Sequence, residues 1–416
     1  MNDAQLNIKR VLLSAFACDP VFGSDEEVGW QWAKQLSSRG YDVTVITRGS
    51  HRKAIEQRVH ETGECSQVRF EYVDLPWLHA MLRHINRRNH IYYYVWQWLA
   101  FLRARVLHRH APFDLIHHVT WVSFRQPSFM GLVGVPFYFG PVAGGDQIPL
   151  GYTEEFSFKQ RLIEWSRESL NALVRFDPLM YLTYASATKV FFTSAGHLRL
   201  VPRLARPKAS IELAIGSEAA QSTLGVPERI DRVPDARLLF VGRCIGWKGM
   251  DFGLRAFQRV KMLRPEARLT VVGDGVDRPR WMAKAVELGI GDAIEWRGWQ
   301  PKDQVLNLYN DFDVMFYPSL RDSGGFVVLE ALQQGLPVVC FRLGGPGVVV
   351  DDSCGAAVVA GRDVDGTVTR FATAVVEVLD RRQEAPNLSE ACRRRARVFT
   401  WDSLVSRIYG PDGEKI

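Results

Sequence analysis

The chain has few cysteines and no paired spacing among them. None of the six forms a Cys-x-x-Cys pair, and Cys18, Cys244 and Cys340 lie in or beside apolar, strand-like runs. This pattern argues against a disulfide framework or a paired-thiol site. The first ten residues also lack the apolar core of a signal peptide. We therefore expect reduced core cysteines in a cytosolic protein.

Long polar tracts and uninterrupted apolar spans are also absent. Hydrophobic residues make up 47% and charged residues 24% of the chain, which is typical of a globular protein rather than a disordered one. Residues 126–145 are uncharged over about the length of a bilayer span, but three prolines and five glycines interrupt them. We predict a soluble strand and loop there. The length of 416 residues predicts two domains of about 200 residues each.

Basic residues exceed acidic ones only in the first half, where 25 Lys and Arg stand against 19 Asp and Glu in residues 1–216. The most basic stretch, residues 79–112, holds six arginines, five histidines, no acidic residue and several aromatic residues. Such a segment can bind an anionic membrane surface, where each basic residue contributes about 1 kcal/mol. A solvated and packed helix is an equal alternative. Nucleic acid is a weaker one, because no recognised nucleic-acid module accompanies the segment.

Strand-like apolar runs alternate with helical stretches in both halves, which is typical of parallel α/β sheets. The first half is predicted to contain a helix at about 25–39 and strands at 11–17, 43–47, 69–73, 115–118, 137–139 and 189–193. The second half is predicted to contain strands at 237–241, 268–272, 294–297, 314–317 and 337–341, with helices at 249–263, 278–288, 303–309 and 326–334. Each half therefore predicts one doubly wound domain, with a hinge near 205–235 and ligands at the carboxyl ends of the strands.

The second half carries the most informative motif. Arg243 and Lys248 follow a predicted strand and precede a helix, where cations and free backbone amides favour an anionic oxygen. Asp322 follows another strand, and Gly324 and Gly325 after it permit close approach of a ligand to a helix start. The bland alternatives are two solvated cations and an aspartate that only caps the helix.

Glu330 lies in the same helix, just before Ala331 and Leu332. A carboxylate is costly in such surroundings unless it is hydrogen-bonded, and ribose hydroxyls would satisfy it. A structural salt bridge is the alternative. Together the four charged residues of this half predict a sugar-nucleotide site.

Other candidates carry weaker signals. Gly23 lets the loop before the first helix turn towards a ligand, and residues 140–146 form a second glycine-containing loop after a strand. His117 and His118 end a strand, so one of them should point into the sheet and the other to solvent or the cleft. His118 could orient or deprotonate a hydroxyl. Asp311 and Asp313 form an Asp-x-Asp pair that is a weak metal alternative.

These residues resemble the retaining glycosyltransferases of family four, which have the GT-B fold. The matching stretches are Gly23–Trp30, Gly40–Arg48, Gly140–Gly145, Val241–Gly249, Val272–Gly275, Tyr317–Ser319, Asp322–Glu330 and Gly335–Val339. The resemblance implies two Rossmann-like domains facing across a cleft. Residues 1–215 would bind the acceptor, residues 216–398 the nucleotide sugar, and a helix in residues 399–416 would cross back to the first domain.

The resemblance also implies roles for individual residues. Arg243 and Lys248 would bind the donor diphosphate, Asp322 the transferred sugar and Glu330 the ribose. His118 joins them as a predicted catalytic residue, and the remaining predicted substrate contacts are Gly23, Gly324, Gly325 and Phe326. Asp322 departs from the family pattern, in which a glutamate one methylene longer is usual. The family's frequent His-x-His reads His117-His118-Val119 here.

We therefore expect a retaining glycosyltransferase that needs neither metal nor cofactor. It would transfer a sugar from a UDP- or GDP-sugar to a lipid-linked or oligosaccharide acceptor in bacterial cell-surface polysaccharide or lipopolysaccharide biosynthesis. We expect it in the cytoplasm, peripheral to the inner membrane through residues 79–112, with no nucleic-acid partner. The alternative is a non-catalytic partner subunit that binds sugar nucleotides. A dinucleotide enzyme is disfavoured because no G-x-G-x-x-G follows the first strand.

Overall fold

The computed structural model describes residues 8–21, 26–75, 90–121, 123–217, 236–385 and 387–410. The chain divides into two compact units. Unit 1 comprises Met1–Gly145, Leu170–Ala214 and Leu404–Ile416, and unit 2 comprises Asp146–Ser169 and Ile215–Ser403. Gly23 and residues 79–89 of the predicted basic segment lie outside the described residues.

Unit 1 contains a seven-stranded sheet in the order β3-β2-β1-β4-β5-β6-β7. Neighbouring strands pair in parallel throughout. The strands are β1 Arg10–Ser14, β2 Asp42–Thr47, β3 Arg69–Tyr72, β4 Leu115–His118, β5 Phe137–Val142, β6 Lys189–Phe192 and β7 Ala209–Ile211. The helices in this part of the chain are α1 Val28–Ser38, α2 Arg52–Thr62, α3 His90–His110, α4 Phe158–Leu173 and α5 Pro178–Ser186. The strand order reverses between β1 and β4, which is where such sheets open a crevice.

Unit 2 contains a six-stranded parallel sheet in the order β10-β9-β8-β11-β12-β13. The strands are β8 Arg237–Val241, β9 Arg268–Val272, β10 Ile294–Gly298, β11 Val314–Tyr317, β12 Val338–Phe341 and β13 Gly355–Val358. The helices are α6 Met250–Leu263, α7 Arg278–Glu287, α8 Lys302–Leu308, α9 Phe326–Gln333, α10 Pro346–Val349, α11 Val364–Glu384, α12 Leu388–Arg397 and α13 Trp401–Tyr409. Here the order reverses between β8 and β11.

Both sheets have the parallel, doubly wound form that the sequence predicts. The strands are recognisable in the sequence because helices cover both faces of such sheets, so each strand is a continuous apolar run. All four residues of β11 are buried. On α6, Met250, Leu254 and Phe257 are buried at helical spacing against the sheet. The strands β7 and β13 were not predicted. They have three and four residues and contain Gly, Ala or Ser, so neither has the apolar run that identifies a strand in sequence.

The predicted division at residue 215 needs one correction. Residues 146–169 follow β5, yet they belong to unit 2. Tyr152 donates a hydrogen bond to the Gly361 carbonyl at 3.1 Å, and its ring packs 5.7 Å from that of Phe252. Sequence composition placed the boundary, and composition does not show that residues 146–169 pack in unit 2 while the residues before and after them belong to unit 1.

The last described helix, α13, begins in unit 2, and its residues from Leu404 onward belong to unit 1. There the Tyr409 hydroxyl lies 2.9 Å from Nδ1 of His117. Arg407 donates to Glu212 at 2.9 Å, and both side chains are less than 10% exposed. Burial raises the pKa of Glu212, and the opposing effect of Arg407 does not offset it fully. This is the C-terminal crossing that the resemblance implied.

No helix among the described residues combines the length and the apolar character that crossing a membrane requires.

Removing Arg407 should destabilise the fold. Arg407→Met leaves the Glu212 carboxyl buried without its counter-charge and should lower the free energy of unfolding by about 3 kcal/mol. The double variant Arg407→Met/Glu212→Gln should recover part of that loss, because the uncompensated charge is gone. Arg39→Met is the control, since Arg39 donates to Ser406 on the exposed side of the same helix. Urea unfolding of the four proteins measures these differences, and an equal loss in Arg39→Met would contradict the assignment.

Candidate active site

The candidate site of unit 2 lies where the strand order reverses. Lys248 ends the 3-10 turn Gly246–Lys248 after β8, and Tyr317 is the last residue of β11. Because β8 and β11 are adjacent in the sheet, the loops leaving them meet at the same edge. Lys248 and Asp322, which are 74 positions apart in the sequence, are therefore brought together by topology.

Lys248, Tyr317 and Asp322 form one hydrogen-bonded group. The Lys248 ammonium donates to the Tyr317 hydroxyl at 2.6 Å and to Oδ2 of Asp322 at 2.9 Å. The Tyr317 hydroxyl donates to the same carboxylate oxygen. Lys248 and Asp322 are about 15% exposed, so both charges are largely removed from water. Burial raises the pKa of Asp322, but Lys248, the Gly325 N–H and the Tyr317 hydroxyl outweigh it, and the net pKa lies below its ordinary value.

The other oxygen of Asp322 binds the turn that leads into helix α9. Oδ1 accepts hydrogen bonds from the Gly324 and Gly325 amides at 3.1 and 3.0 Å. The sequence predicts that these amides face a ligand, but in this structure they donate to the chain's own carboxylate. Asp322 is not a helix cap, because the N-cap residue of α9 is Gly325 and no side chain caps it; it closes the preceding turn and pairs with Lys248.

Two glycines permit this geometry. Gly249 has φ of 72°, and a Cβ there would lie 1.9 Å from the Pro318 carbonyl oxygen, so only glycine lets the β8 loop approach the β11 loop. Gly325 begins α9 with φ of 65°. A backbone hydrogen bond from Leu320 to Trp247 at 3.0 Å joins the same two loops. The closeness of Lys248 and Asp322 therefore depends on backbone contact as well as on charge.

Glu330 lies eight residues after Asp322 on α9. Its Oε2 accepts from the Tyr309 hydroxyl at 3.1 Å, and Oε1 lies 3.9 Å from the exposed Lys302 ammonium. Burial raises the pKa of Glu330, and Lys302 and Tyr309 offset the effect only in part. Among the described residues, the nearest donor to Oε1 is the Lys302 ammonium at 3.9 Å. Oε1 is therefore able to accept a hydroxyl group.

The remaining predicted residues of this half are distributed around the group. Arg243 is exposed, and its guanidinium makes no hydrogen bond or ion pair with the described residues. Phe326 is the first residue of α9 and is half-buried. Asp313 is one of the two residues of the Asp-x-Asp pair considered as a metal site. Its carboxylate accepts from the Arg237 amide at 3.0 Å and lies 4.0 Å from the Arg382 guanidinium. Within the described ranges, no group of three or more His, Cys, Asp or Glu is arranged to hold a metal ion.

A support layer around Asp322 was not predicted. Ser323 donates to Asp146 at 2.9 Å, and Arg321 makes two hydrogen bonds to Glu164, one of them 2.9 Å long. Glu164 is buried and also accepts from Arg167 at 3.1 Å. The residues on both sides of Asp322 are thus fixed by the segment 146–169. No local motif marks these partners, because they are 157 or more positions away from the loop that they hold.

The expectation that one histidine of β4 faces solvent or a cleft is wrong. His117 and His118 are both 0% exposed, because the sheet of unit 1 is covered on both faces. His118 lies 3.0 Å from the Tyr93 hydroxyl and 3.1 Å from the Ser128 hydroxyl, so both ring nitrogens have partners. Burial lowers the pKa of His118 to about 3. Its position is that of a neutral core residue, and it gives no support to the predicted catalytic role.

A polar cluster at the carboxyl ends of β1 and β2 was also missed. Arg48 donates to the Phe16 carbonyl at 2.8 Å and to Glu26 at 3.1 Å, and its guanidinium lies over the Phe16 ring. His51 lies 3.2 Å from Asp19 and 2.7 Å from Arg48. Burial lowers the pKa of both His51 and Arg48. The loop with Gly23 adjoins this cluster in sequence but lies outside the described residues.

Comparison with known proteins gives consistent findings. Residues 230–397 match the family model described as glycosyl transferases group 1. The chain is 33% identical over 403 residues to a D-inositol 3-phosphate glycosyltransferase of Mycolicibacterium smegmatis, which covers 91% of this chain and 83% of the relative. The corresponding enzyme of Saccharomonospora viridis is 31% identical over 324 residues, or 72% and 70% of the two chains.

Two solved structures share the fold of nearly the whole chain. WaaG, a glycosyltransferase involved in lipopolysaccharide biosynthesis, has a TM-score of 0.55 at 18% identity and covers 96% of this chain and 98% of its own. HepE of Anabaena in complex with UDP has a TM-score of 0.58 at 14% identity, with the same coverage.

The Lys248 ion pair should make stability depend on pH. Lys248→Met should lower the free energy of unfolding at neutral pH by about 1–3 kcal/mol, because a largely buried carboxylate loses its counter-charge. The pKa of Asp322 is depressed in the folded protein, so the pair's contribution is complete above the unfolded pKa of about 3.9 and is lost as pH falls through the lower folded pKa.

In Lys248→Met, the effect of burial on the pKa of Asp322 is no longer opposed by Lys248. The difference in the free energy of unfolding between variant and wild type should therefore shrink as the pH falls. Denaturant titrations from pH 7 down to about pH 2.5, which includes the range in which the contribution is lost, measure this, with Lys261→Met on the exposed side of α6 as the control. A deficit that stays constant with pH would show that Asp322 is not the group responsible.

Proposed function

The chain belongs to the glycosyl transferases group 1 family, and on that premise we propose that it is a retaining, metal-independent enzyme that uses a UDP- or GDP-sugar as donor. The observation that carries the proposal is the Lys248–Asp322 pair at the strand reversal of unit 2, with Glu330 on helix α9, which follows Asp322 in the chain. A nucleotide sugar carries its diphosphate between the transferred sugar and the ribose. The cation would therefore bind the diphosphate, and the carboxylates of Asp322 and Glu330 would bind hydroxyls on either side of it.

The donor diphosphate would bind the Lys248 ammonium. Arg243, which is exposed and without a side-chain partner among the described residues, supplies a second cation. Glu330 would accept the ribose hydroxyls through the oxygen that Tyr309 leaves available. The raised pKa of Glu330 supports this role, because a carboxylate held partly desolvated gains most from new hydrogen-bond donors.

Binding would change the partners of Asp322. A diphosphate at Lys248 replaces the carboxylate as counter-charge, and Asp322 can then accept from the transferred sugar. The Gly324 and Gly325 amides released by Asp322 face the phosphate of the leaving group. Donors fixed where charge develops lower the barrier, and together these amides and the two cations would stabilise the departing diphosphate. The family resemblance implies that attack and departure take place on the same face of the sugar, without a carboxylate nucleophile on the other face.

For the acceptor, we propose a lipid-linked or oligosaccharide molecule of bacterial cell-surface polysaccharide or lipopolysaccharide biosynthesis, bound by unit 1. The support is the basic excess of that half. A second candidate is a phosphorylated inositol, favoured by the name of relatives that match at up to 33% identity. An inositol phosphate, or a lipid-linked acceptor joined through phosphate, is anionic, and the basic character of unit 1 would complement it.

We place the enzyme in the cytoplasm, peripheral to the inner membrane through the basic segment 79–112. Within the described part of that segment, Tyr92, Tyr93, Trp96 and Phe101 are buried in the core. The aromatic residues that suggested membrane contact are therefore mostly structural. Trp98 and several arginines of α3 are exposed, and these residues support the proposed membrane contact.

Donor binding should raise the melting temperature without metal. We expect one class among UDP-, GDP- and ADP-sugars to stabilise the protein equally in Mg²⁺ and in EDTA, since a ligand adds RT ln(1 + [L]/Kd) to the stability. Glu330→Ala should weaken binding about 10- to 100-fold, as expected for lost hydrogen bonds to a charged group. Glu266→Ala, at an exposed position of unit 2, should leave the shift unchanged. A shift that requires Mg²⁺ would contradict metal independence.

Turnover should depend on Lys248. Lys248→Ala should lower kcat by roughly 30- to 1000-fold, the effect of about 2–4 kcal/mol of lost charge stabilisation. The assay offers the donor with lipid-linked oligosaccharides and inositol phosphates, and NMR of the product reports whether the anomeric configuration is retained. An inverted product would overturn the retaining mechanism. Donor binding with no transfer to any acceptor would favour a non-catalytic binding subunit instead.

A further inference from the structure

Unit 1 exposes a group of large apolar side chains. They lie on α3, the 3-10 turn Met130–Val133, the end of α4, the 3-10 turn Val174–Phe176 and α5. We call the group the apolar face; its members are Trp98, Leu102, Val106, Leu132, Leu170, Leu173, Phe176, Leu179, Tyr181 and Leu182, each 37–75% exposed. Contiguous exposed apolar patches beyond a few hundred Å² are rare on monomeric proteins and mark interaction surfaces.

The members of the apolar face are structurally connected. Trp98 packs its ring against Phe129 at 5.3 Å, and the neighbouring residue Ser128 donates its amide to Thr183 of α5 at 3.0 Å. Several of the same elements also line a cavity of about 300 Å³. Its lining combines Tyr94 of α3 with Leu170, Leu173, Val174 and Asp177, and with the polar residues Ser123, Arg125 and Gln126. The apolar side chains of α3 and of residues 170–182 therefore border one surface.

The charges on this surface are almost all positive. Arg105 and Arg109 follow Trp98 by seven and eleven residues, so they share its face of α3. Both are exposed, as is Arg175 in the 3-10 turn, and none of the three forms an ion pair with the described residues. Helix α3 contains no acidic residue. Asp177 is the single acid of residues 170–186, and its carboxylate caps α5 by accepting from the Leu179 amide at 2.8 Å.

We propose that the apolar face docks onto an anionic phospholipid bilayer, with its apolar side chains in the interfacial region and the three arginines at lipid phosphates. The inference rests on the peripheral location proposed above and assigns it to a defined surface, most of which lies outside residues 79–112. Long arginine side chains suit this position, because their stems cover apolar surface while their guanidinium groups reach the headgroups.

Charge favours a bilayer over a second copy of the chain. In a two-fold dimer the same surface meets itself, so the arginines of one copy would face those of the other. An anionic bilayer instead supplies counter-charge to a surface whose single acid in residues 90–110 and 170–186 is Asp177. The mixture of exposed Trp, Tyr, Leu and Arg is also the composition found at membrane interfaces.

Vesicle co-sedimentation of the full-length chain tests the proposal. The protein should pellet with vesicles that contain phosphatidylglycerol at roughly one third and pellet weakly with pure phosphatidylcholine. Arg105→Gln/Arg109→Gln should reduce binding to the anionic vesicles about 30-fold, since each arginine near the surface contributes about fivefold. Leu173→Glu/Phe176→Glu should reduce it at least about tenfold. Met262→Glu, at an exposed apolar residue of unit 2, is the matched control and should bind like wild type.

A second readout reports insertion directly. All six native cysteines are buried, so Phe176→Cys offers one accessible thiol for a polarity-sensitive dye. Its emission should move to the blue with anionic vesicles and stay unchanged with neutral ones. Absence of vesicle binding in the wild type, or equal binding by all variants, would overturn the proposal. So would a wild-type dimer that Leu173→Glu/Phe176→Glu converts to a monomer without any vesicle binding, since a second copy would then cover the face.

The donor-induced melting shift separates this proposal from the proposed function. Every variant of the apolar face should keep the shift, which also shows that each one is folded. If the shift persists while vesicle binding is absent, only the docking surface is wrong. If the wild type shows no shift with any nucleotide sugar, the donor assignment fails whatever the vesicles show.

Discussion

The ion pair between Lys248 and Asp322 is the interaction around which the candidate site of unit 2 is arranged. Two largely buried charges are tolerated only when they are paired and hydrogen-bonded, and here Tyr317 and two backbone amides complete the pairing. The pair in turn requires close contact between two loops, which Gly249 allows by leaving no Cβ against the Pro318 carbonyl. A larger residue at that position would separate the loops and weaken the pairing of the two charges.

This arrangement means that a ligand must exchange contacts rather than fill an empty site. Asp322 holds the cation and the turn amides, which are the groups an anionic phosphate would use. Lys248, the Gly325 amide and the Tyr317 hydroxyl lower the pKa of Asp322, so they stabilise its carboxylate form. Under the proposed function, a diphosphate would replace this carboxylate at the cation, and a sugar hydroxyl would give Asp322 a new partner. A complete sugar nucleotide would supply both replacements, whereas a fragment of it would supply only one.

The sequence predicts most of the fold because buried parallel strands are recognisable as short apolar runs, as at Val314–Tyr317. It also predicts Lys248, Asp322 and Glu330, since charged residues beside glycines and strand ends are uncommon without a function. His118 shows the limit of that reasoning: alternation along a strand indicates opposite faces, but does not indicate that helices cover both. Asp146 and Glu164 could not be found, because their roles depend on contacts with Ser323 and Arg321 far along the chain. The sequence left membrane contact and packing as equal alternatives for the aromatic residues of α3, because composition does not distinguish a buried tyrosine from an exposed one.

The aspartate at position 322 is one of two departures of this chain from the family pattern, and the structure suggests what the shorter side chain provides. An aspartate readily accepts from the backbone amides that follow it in a turn, whereas the extra methylene of glutamate moves the carboxylate away from those amides. Asp322 uses one oxygen for this purpose and the other for Lys248. A glutamate could keep the cation but would hold the turn less well, and it would reach further towards a sugar. The same substitution that shortens the reach therefore strengthens the ligand-free state, so Asp322→Glu should weaken the turn without removing the charge on which donor binding depends.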